Sequence, residues 1–569
     1  MLGIPHIRLT GYGLWLLIAF VLTLFLGCKP HKYRRASDKE VYEILQNRSE
    51  HTLGSRMEHS IDTVYSSRSP SDINGSEIIF DRNQSESDQV LTLNETLDLA
   101  VKANRVYQYN REKLYLQALS LTGVRHQFAF RFSNAEIDLG LDRSSTGEKS
   151  TTSGANFTLN KLMKTGGTIT ASLANDLVLY FDGEPKVPSV TLSLVQPLLR
   201  GAGSDIAAEV LTQAEREVVY EIRDFSHFQK EFVLEVVNDY LDLLQLGESM
   251  QLSYSNYTNR IVFRKEIDAR VEAGLSAEFE SKQAKQSEYS SKLSYVGTTN
   301  AYQNALDELK QKVSLPLGTK VTLDFKVLKD LNDMGLPKVP FSESVGYRLA
   351  IANRLDLMNV IDRFEDSKRK VKVASQDLLP SLSIVADAAM KDQFYSSFQS
   401  KEYTAKAGLK LNLPLDQLVE RNAYRSSLIA FERQLRTLAS ELDKLLDGMR
   451  SDVRNLGRQR QNYFTQQEAR KNAEENLEAT RQRLRLGFPG VRTRDIITAQ
   501  DALLHAQLSV SRANLDYHKT HLKLLKDGGI LDTTQEEFWL KEFNLPGGEP
   551  AAPDQPLDAV VPPEQILGK

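Results

Sequence analysis

Three short motifs occur twice in this chain, in the same order, and that duplication constrains the fold more than any other feature. Ala103-Asn104-Arg105 returns as Ala352-Asn353-Arg354. A strand-like run into Pro197-Leu198 returns as one into Pro414-Leu415, and Arg270-x-x-x-Gly274-Leu275 returns as Arg483-x-x-x-Gly487-Phe488. Landmarks that recur with the same kind of segment after each mean that one unit of over 200 residues was copied within the 569. The unit reads helix, strands, very long helix, tip turn, helix.

The strands are written in period two, which gives a sheet one apolar and one polar face. In the first copy the alternating positions are Phe128, Phe130, Phe132; Ile137, Leu139, Leu141; Ala155, Phe157, Leu159; Ile169, Ala171, Leu173; and Val190, Leu192, Leu194. The second copy has fewer: Leu382, Ile384, Ala386, then Ala405, Ala407, Leu409, Leu411 and Leu413. The repeats lie 249 residues apart at Asn104 and Asn353 but 217 apart at Pro197 and Pro414, so the first strand zone holds 32 extra residues. One additional hairpin is expected there, centred on Gly166-Gly167 and a Gly183-Glu184-Pro185 turn.

Helices flank the strands. Thr92-Leu93-Asn94-Glu95 fits a capping box and opens a helix expected to run to about Val124. Asp205 to Ala273 and Gln417 to Leu486 contain no proline, and each predicts a helix of about 100 Å at 1.5 Å per residue. Shorter helices, Ala277 to about Val313 and Arg494 to about Lys526, follow the tip turns. Two short helices together match one long one, so they are expected to stack end to end along it in coiled-coil-like packing. The architecture expected is elongated.

The chain ends are different in kind. Arg8 precedes an apolar run from Leu14 to Leu26, too short for a comfortable span and suited to an export signal. The run closes in Leu24-Phe25-Leu26-Gly27-Cys28, and Cys28 is the only cysteine, so no disulfide can form within the chain. A small residue before a lone cysteine here resembles the lipobox of bacterial lipoproteins. That resemblance implies cleavage after residue 27, lipidation of Cys28 and, with Lys29 following, sorting to the outer membrane. Residues 28–90 are Ser, Asp, Glu, Arg and Asn rich and read as a polar tether with one short helix around Asp38 to Leu45. Residues 531–569 read as an extended tail, because six of the 18 prolines fall at 546, 550, 553, 556, 562 and 563. A net charge of -4 with no basic block argues against nucleic acid as a partner.

Duplicated long helices joined to a two-faced sheet resemble the TolC-type outer-membrane efflux proteins over about Leu91 to Ile530. The carriers are the Ala-Asn-Arg motifs, Gln196-Pro197-Leu198-Leu199-Arg200-Gly201, and the two Gly-containing tips followed by Asp495-x-x-x-Ala499-Gln500. The resemblance implies an α+β membrane protein in which long helical hairpins form a periplasmic α-barrel and strands contribute to a trimeric transmembrane β-barrel. The layout expected is a signal peptide (1–27), tether (28–90), first repeat (91–315), equatorial connection (316–341), second repeat (342–530) and tail (531–569). Function would be that of an outer-membrane channel subunit in tripartite efflux or type I secretion, without enzymatic activity or cofactor. Its partners would be two further copies, a periplasmic adaptor, an inner-membrane pump and outer-membrane lipid.

The family's tips meet the adaptor, which carries that role onto Arg270, Gly274, Leu275 and Ser276, and onto Arg483, Gly487, Phe488 and Thr493. The second tip is longer: Gly274 to Ala284 is 10 residues and Gly487 to Ala499 is 12. Family pores narrow near acidic residues just past the tips, which here are Glu280 and Asp495; a further aspartate common one turn later is replaced by Thr498. Helix-surface charge is the competing reading of that pair. Pro197, Gly201, Gly203 and Pro414 are expected at the turns from strand to helix.

Other chemistry is weaker. Gly201-Ala202-Gly203 superficially resembles a dinucleotide loop, but Ile206 occupies the third glycine position and no alternating βα pattern surrounds it. His518 and His521, three apart near Asp516, read as a solvated helix face and not as a metal pair, because no third ligand joins them. The alternative function is a structural coiled-coil lipoprotein tether, which would have no need of alternating strands.

Overall fold

A computed structural model describes residues 30–57, 59–83, 88–143, 149–180, 189–338, 341–391, 402–488, 490–535 and 537–541. The signal segment, Cys28, the Gly183-Glu184-Pro185 turn, Pro489 and the prolines from 546 onward lie outside the described residues. In chain order the elements are α1 (Pro30–Leu53), α2 (Gly75–Asn83), β1 (Gln89–Leu91), α3 (Leu93–Ala103), α4 (Arg105–Gln127), β2 (Arg131–Arg143), β3 (Lys149–Leu162), β4 (Thr168–Tyr180), β5 (Ser189–Pro197) and α5 (Ser204–Ala207). They continue with α6 (Glu209–Glu272), α7 (Glu278–Lys312), β6 (Val321–Leu323), α8 (Lys326–Met334), α9 (Glu343–Asn353), α10 (Leu355–Gln376), β7 (Ser381–Lys391), β8 (Glu402–Asn412), α11 (Leu418–Arg485) and α12 (Thr493–Asp527). Each half runs two helices, strands, a long helix and a return helix, but the first half has four strands and the added turn α5 where the second has two strands and no such turn. The long helices α6 and α11 have 64 and 68 residues, about 100 Å each.

The residues divide into two compact units. One comprises Met1–Ile61, Arg111–Arg223 and Phe364–Gln434; the other comprises Asp62–Asn110, Asp224–Arg363 and Leu435–Lys569.

The first unit contains a six-stranded antiparallel sheet in the order β2-β3-β4-β5-β7-β8, not closed on itself, so β2 and β8 are its edges. Register places Phe157, Leu173, Val190, Met390 and Tyr403 in one row, and Thr158, Ser172, Thr191, Ala389 and Thr404 in the next. Phe157, Val190, Met390 and Tyr403 are exposed, as are Leu192, Leu409 and Leu411 on the same face. The opposite face is tied by hydroxyls: Ser172 and Thr191 hydrogen-bond each other, and Ser193 Oγ donates to Asp387 Oδ1 at 2.6 Å. A continuous apolar face open to its surroundings is what a lipid-facing wall presents, and a water-soluble sheet would have to cover it.

Helices of this unit pack by narrow stripes. Leu114, Ala118 and Leu121 of α4 are fully buried at i, i+4 and i+7, as are Val218 and Ile222 of α6. Asp366 is buried where Tyr220 donates to it at 2.6 Å, and the guanidinium groups of Arg216 and Arg369 lie 2.6 and 2.9 Å away. Burial, with Asp366 next in weight among the causes that raise it, holds the Tyr220 hydroxyl protonated well above its usual range.

The segment expected as a tether differs from that reading. Its short helix is instead 24 residues long, and Val41, Ile44, Leu45 and Ser49 are buried. Tyr115 donates to Asp38 at 2.7 Å, Arg48 pairs with Glu215 at 2.9 Å, and His59 lies 3.1 Å from the Arg111 carbonyl. The physical reason is that three apolar residues at helical spacing suffice to dock a helix that is polar on its remaining surface.

In the second unit β1 and β6 form a parallel pair, and the fully buried Tyr240 hydroxyl lies 2.9 Å from the Leu91 carbonyl and 3.1 Å from that of Asp324. Gly247, mid-helix in α6, leaves room for Phe325: a Cβ there would stand 2.6 Å from its ring. The expected single helix from Thr92 to Val124 is two helices, broken at Asn104, whose backbone is extended. Its side chain explains the break, because Oδ1 accepts from the Tyr107 N–H at 2.9 Å and Nδ2 donates to the Lys312 carbonyl at 2.7 Å. Two further boundaries differ from expectation: the first strand begins at Arg131 after a turn at Phe128, and a single turn, α5, precedes the long helix.

Candidate functional site

The two tip turns end their helices with one backbone device. After α6 the Leu275 N–H donates to the Arg270 carbonyl at 2.8 Å and Gly274 N–H to Val271 at 2.9 Å; after α11 Phe488 N–H donates to Arg483 at 3.0 Å and Gly487 N–H to Leu484 at 3.3 Å. This pairing requires a left-handed residue at the glycine, and φ is +74° at Gly274 and +72° at Gly487. A Cβ at either would meet nothing within 4 Å, so glycine is there for its backbone and not for space.

One core holds the four helix ends together. Phe263 and Ile267 of α6, Ala284 of α7, Leu477 and Leu484 of α11, and Ile496 and Ala499 of α12 form a buried cluster, with Val271 and Val491 against its side. Above it Arg260 is 1 % exposed, donating from Nη2 to Asp501 at 2.5 Å and to the Ile497 carbonyl at 3.1 Å. Burial lowers the Arg260 pKa from its ordinary value, though Asp501 opposes that. Arg264 binds Asp268 at 2.7 Å and also pairs with Glu288.

The predicted contact residues separate into two groups. Leu275 (70 % exposed) and Phe488 (56 %) present apolar surface, Arg483 is exposed, and Ser276 and Arg270 are half-buried. Thr493 departs from the expectation: it is 1 % exposed, so its side chain is turned into the hairpin core and is closed to a partner in this chain. Phe279 and Leu486, 54 % and 76 % exposed beside the tips, add apolar surface that the motifs did not single out. Their signal was an apolar residue at a position outside the helix's buried stripe.

Glu280 and Asp495 each fall on the third residue of a return helix, following Ala277 and Arg492 at the cap positions. The Asp495 carboxylate accepts from the Arg492 N–H at 2.9 Å, and acids at this place are favoured by the free N–H groups and dipole of the helix start. Thr498 is exposed and its hydroxyl donates to the Arg494 carbonyl at 3.0 Å.

At the turns from strand to helix, Pro197 ends β5 opposite Ser383. Gly201 and Gly203 come next with φ of +77° and +94°. The Pro414 turn has no glycine; Asp416 caps α11 there, accepting from the Leu418 N–H at 3.0 Å. His518 and His521 do not form the solvated face expected of them. Both are buried, His521 stacked on Tyr517, and burial is the main cause that lowers each imidazole to about 4. Their helix is covered on that side by the segment from α8 to Pro337, whose carbonyl accepts from the Tyr517 hydroxyl. Among the described residues no group of three His, Cys, Asp or Glu is placed to hold a metal ion.

Comparison with known proteins supports the family resemblance read from the motifs. Residues 346–526 match the family model described as outer membrane efflux protein. Among solved structures, the CusC transmembrane channel is similar with a TM-score of 0.57 at 12% identity, covering 77% of this chain and 92% of that one. The CmeC outer membrane channel of Campylobacter jejuni gives 0.55 at 16% identity, covering 77% and 85%. The open state of the MtrE outer membrane channel of Neisseria gonorrhoeae gives 0.54 at 12%, covering 77% and 89%. No curated protein matches the chain by sequence. The likeness to TolC-type outer-membrane efflux proteins is therefore borne out, in sequence over most of the second repeat and in fold over most of the chain.

Proposed function

We propose that this chain is the outer-membrane channel subunit of a tripartite export system, a passive and non-enzymatic conduit acting as a homotrimer with a periplasmic adaptor and an inner-membrane pump. The observation that carries the reading is the sheet. Six antiparallel strands with one exposed apolar face and a hydroxyl-bearing other face end in two unpaired edges. Unpaired edges are not tolerated in lipid, so such a sheet becomes a membrane wall only by closing with other copies. A coiled-coil lipoprotein tether would use the long helices and leave this sheet without purpose. Cys28, carried over from the lipobox resemblance, would add a lipid anchor to the same membrane.

In this reading the tips receive the adaptor through Leu275, Phe488 and the neighbouring Phe279 and Leu486, with Arg270, Ser276 and Arg483 around them and Gly274 and Gly487 shaping the turns. Glu280 and Asp495, with Thr498 near them, stay candidates for a pore constriction whose charge would favour cations.

Purified protein reconstituted into a planar bilayer tests the conduit. Discrete ion-conducting steps are expected, and silence from well-folded protein would favour the tether. Replacing both tip glycines by valine tests the adaptor contact. A β-branched residue with positive φ costs about 1–2 kcal/mol per site, enough to re-form a turn but not to unfold the hairpins. Trimers should persist while export in cells fails; export at the unmodified level would remove the tip assignment.

A further inference from the structure

The two repeats do not contribute equally to the sheet. In the second, the strand that leaves the helix (β7) pairs directly with the strand that enters the long helix (β8). In the first, the positional counterparts are β2 and β5, yet these pair with β3 and β4 instead of each other. The hairpin between them runs from Lys149 to Tyr180, 32 residues, equal to the excess of the first repeat over the second.

This inserted hairpin is built into the wall at both face and turn. Its residues continue the apolar row (Phe157, Leu173) and the polar row (Thr158, Ser172) in register with β5, β7 and β8. Its turn is held at the corner where β5 enters the helices. The Gly203 N–H and the Gln196 Nε2 both donate to the Thr165 carbonyl, each at 3.2 Å. Gly166, at φ +89°, sits so close that a Cβ would stand 2.3 Å from the Gly201 carbonyl oxygen. A short turn at the helical end of the strands is the pattern of membrane barrels, whose turns on that side are tight.

We infer that the inserted hairpin is a full part of the barrel wall, with the β2 edge pairing with β8 of a second copy, so that three copies close at eighteen strands. One hairpin per repeat would have given twelve. The inference rests on the trimeric channel reading. Six strands alternate in direction, so β2 and β8 run oppositely and meet antiparallel in neighbouring copies without mismatch. Barrel diameter grows linearly with strand number, so the collar is about half again as wide as the duplication alone would make it. Eighteen strands fall in the range that encloses water, and the hydroxyl-bearing face would line it.

The test places a tryptophan on the apolar face, by Phe157→Trp in the inserted hairpin or Leu192→Trp in β5, and measures quenching by brominated lipid in reconstituted vesicles. Quenching in both variants, with eighteen strands counted by electron cryomicroscopy, is the expected result. Quenching at Leu192→Trp but not at Phe157→Trp, with twelve strands counted, would overturn the inference and leave the channel reading standing. If neither is quenched in folded protein, the membrane wall itself is wrong and both readings go.

Discussion

The buried histidine pair makes acid a specific threat to the second unit. His518 and His521 are 2 % and 4 % exposed, and burial lowers each from 6.5 to about 4. A histidine whose folded pKa lies below its unfolded value contributes stability above the unfolded value, and that stability is lost as pH falls from 6.5 toward 4. At pH 5 an unfolded imidazole is mostly charged while the folded one is mostly neutral, a cost of about 2 kcal/mol each and about 4 kcal/mol for the pair. Of the chain's 2 tryptophans, Trp15 lies in the expected signal segment, and Trp539 is buried in the second unit. Its emission during urea unfolding at pH 7.5 and pH 5 reads the loss directly. His521→Phe keeps a ring against Tyr517 while removing one titration, so it should recover about half of the acid loss. Equal midpoints at the two pH values, or an unchanged acid loss in His521→Phe, would refute the assignment of these imidazoles as buried and neutral.

Two further perturbations separate charge from packing and crowding from backbone strain. Asp501→Ala removes the charge partner of the buried Arg260 guanidinium, leaving it only the Ile497 carbonyl, and because Asp501 is half exposed should cost about 1–2 kcal/mol, whereas Arg260→Met should be nearly neutral; thermal unfolding of the two variants gives the order. Gly166→Ala forces a Cβ against the Gly201 carbonyl, while Gly201→Ala meets nothing within 4 Å and is limited to the left-handed cost of about 1–2 kcal/mol. Trimer yield in membrane extracts should fall much further for the first.

What the sequence made legible was periodic or duplicated: the strands, the long helices and the glycine tips. What it hid was tertiary. The break at Asn104 depends on the Lys312 carbonyl, 208 residues away, and no local propensity announces it. Docking of α1 rests on Val41, Ile44 and Leu45, too few to register against a polar composition. The histidines read as solvated because Asp516, Lys519 and Thr520 adjoin them in sequence, although Leu515, Leu522 and Leu525 share their buried side of the helix; cover comes from the Pro337 segment, some 180 residues earlier. The extra residues were visible in the index offsets and their turn in Gly166-Gly167, but the register that sets both hairpin strands in one sheet with β5, β7 and β8 was not, since that depends on which strands pair.

At the tips the same division between local and tertiary signals bears on function. Their helix-ending hydrogen bonds are the same in both repeats although the second connection is two residues longer. The added length must therefore be absorbed after the shared device, and Gly490, at φ +98°, is a second left-handed residue that the first tip lacks. Keeping the helix stop while varying the connection beyond it lets the four helix ends share one core, in which Ala284 and Ala499 are equivalent. The exposed apolar residues nevertheless differ, with Leu275 and Phe279 at one tip and Leu486 and Phe488 at the other. On the proposed adaptor reading, two turns with a common frame and differently placed apolar residues would meet a partner at two distinct places.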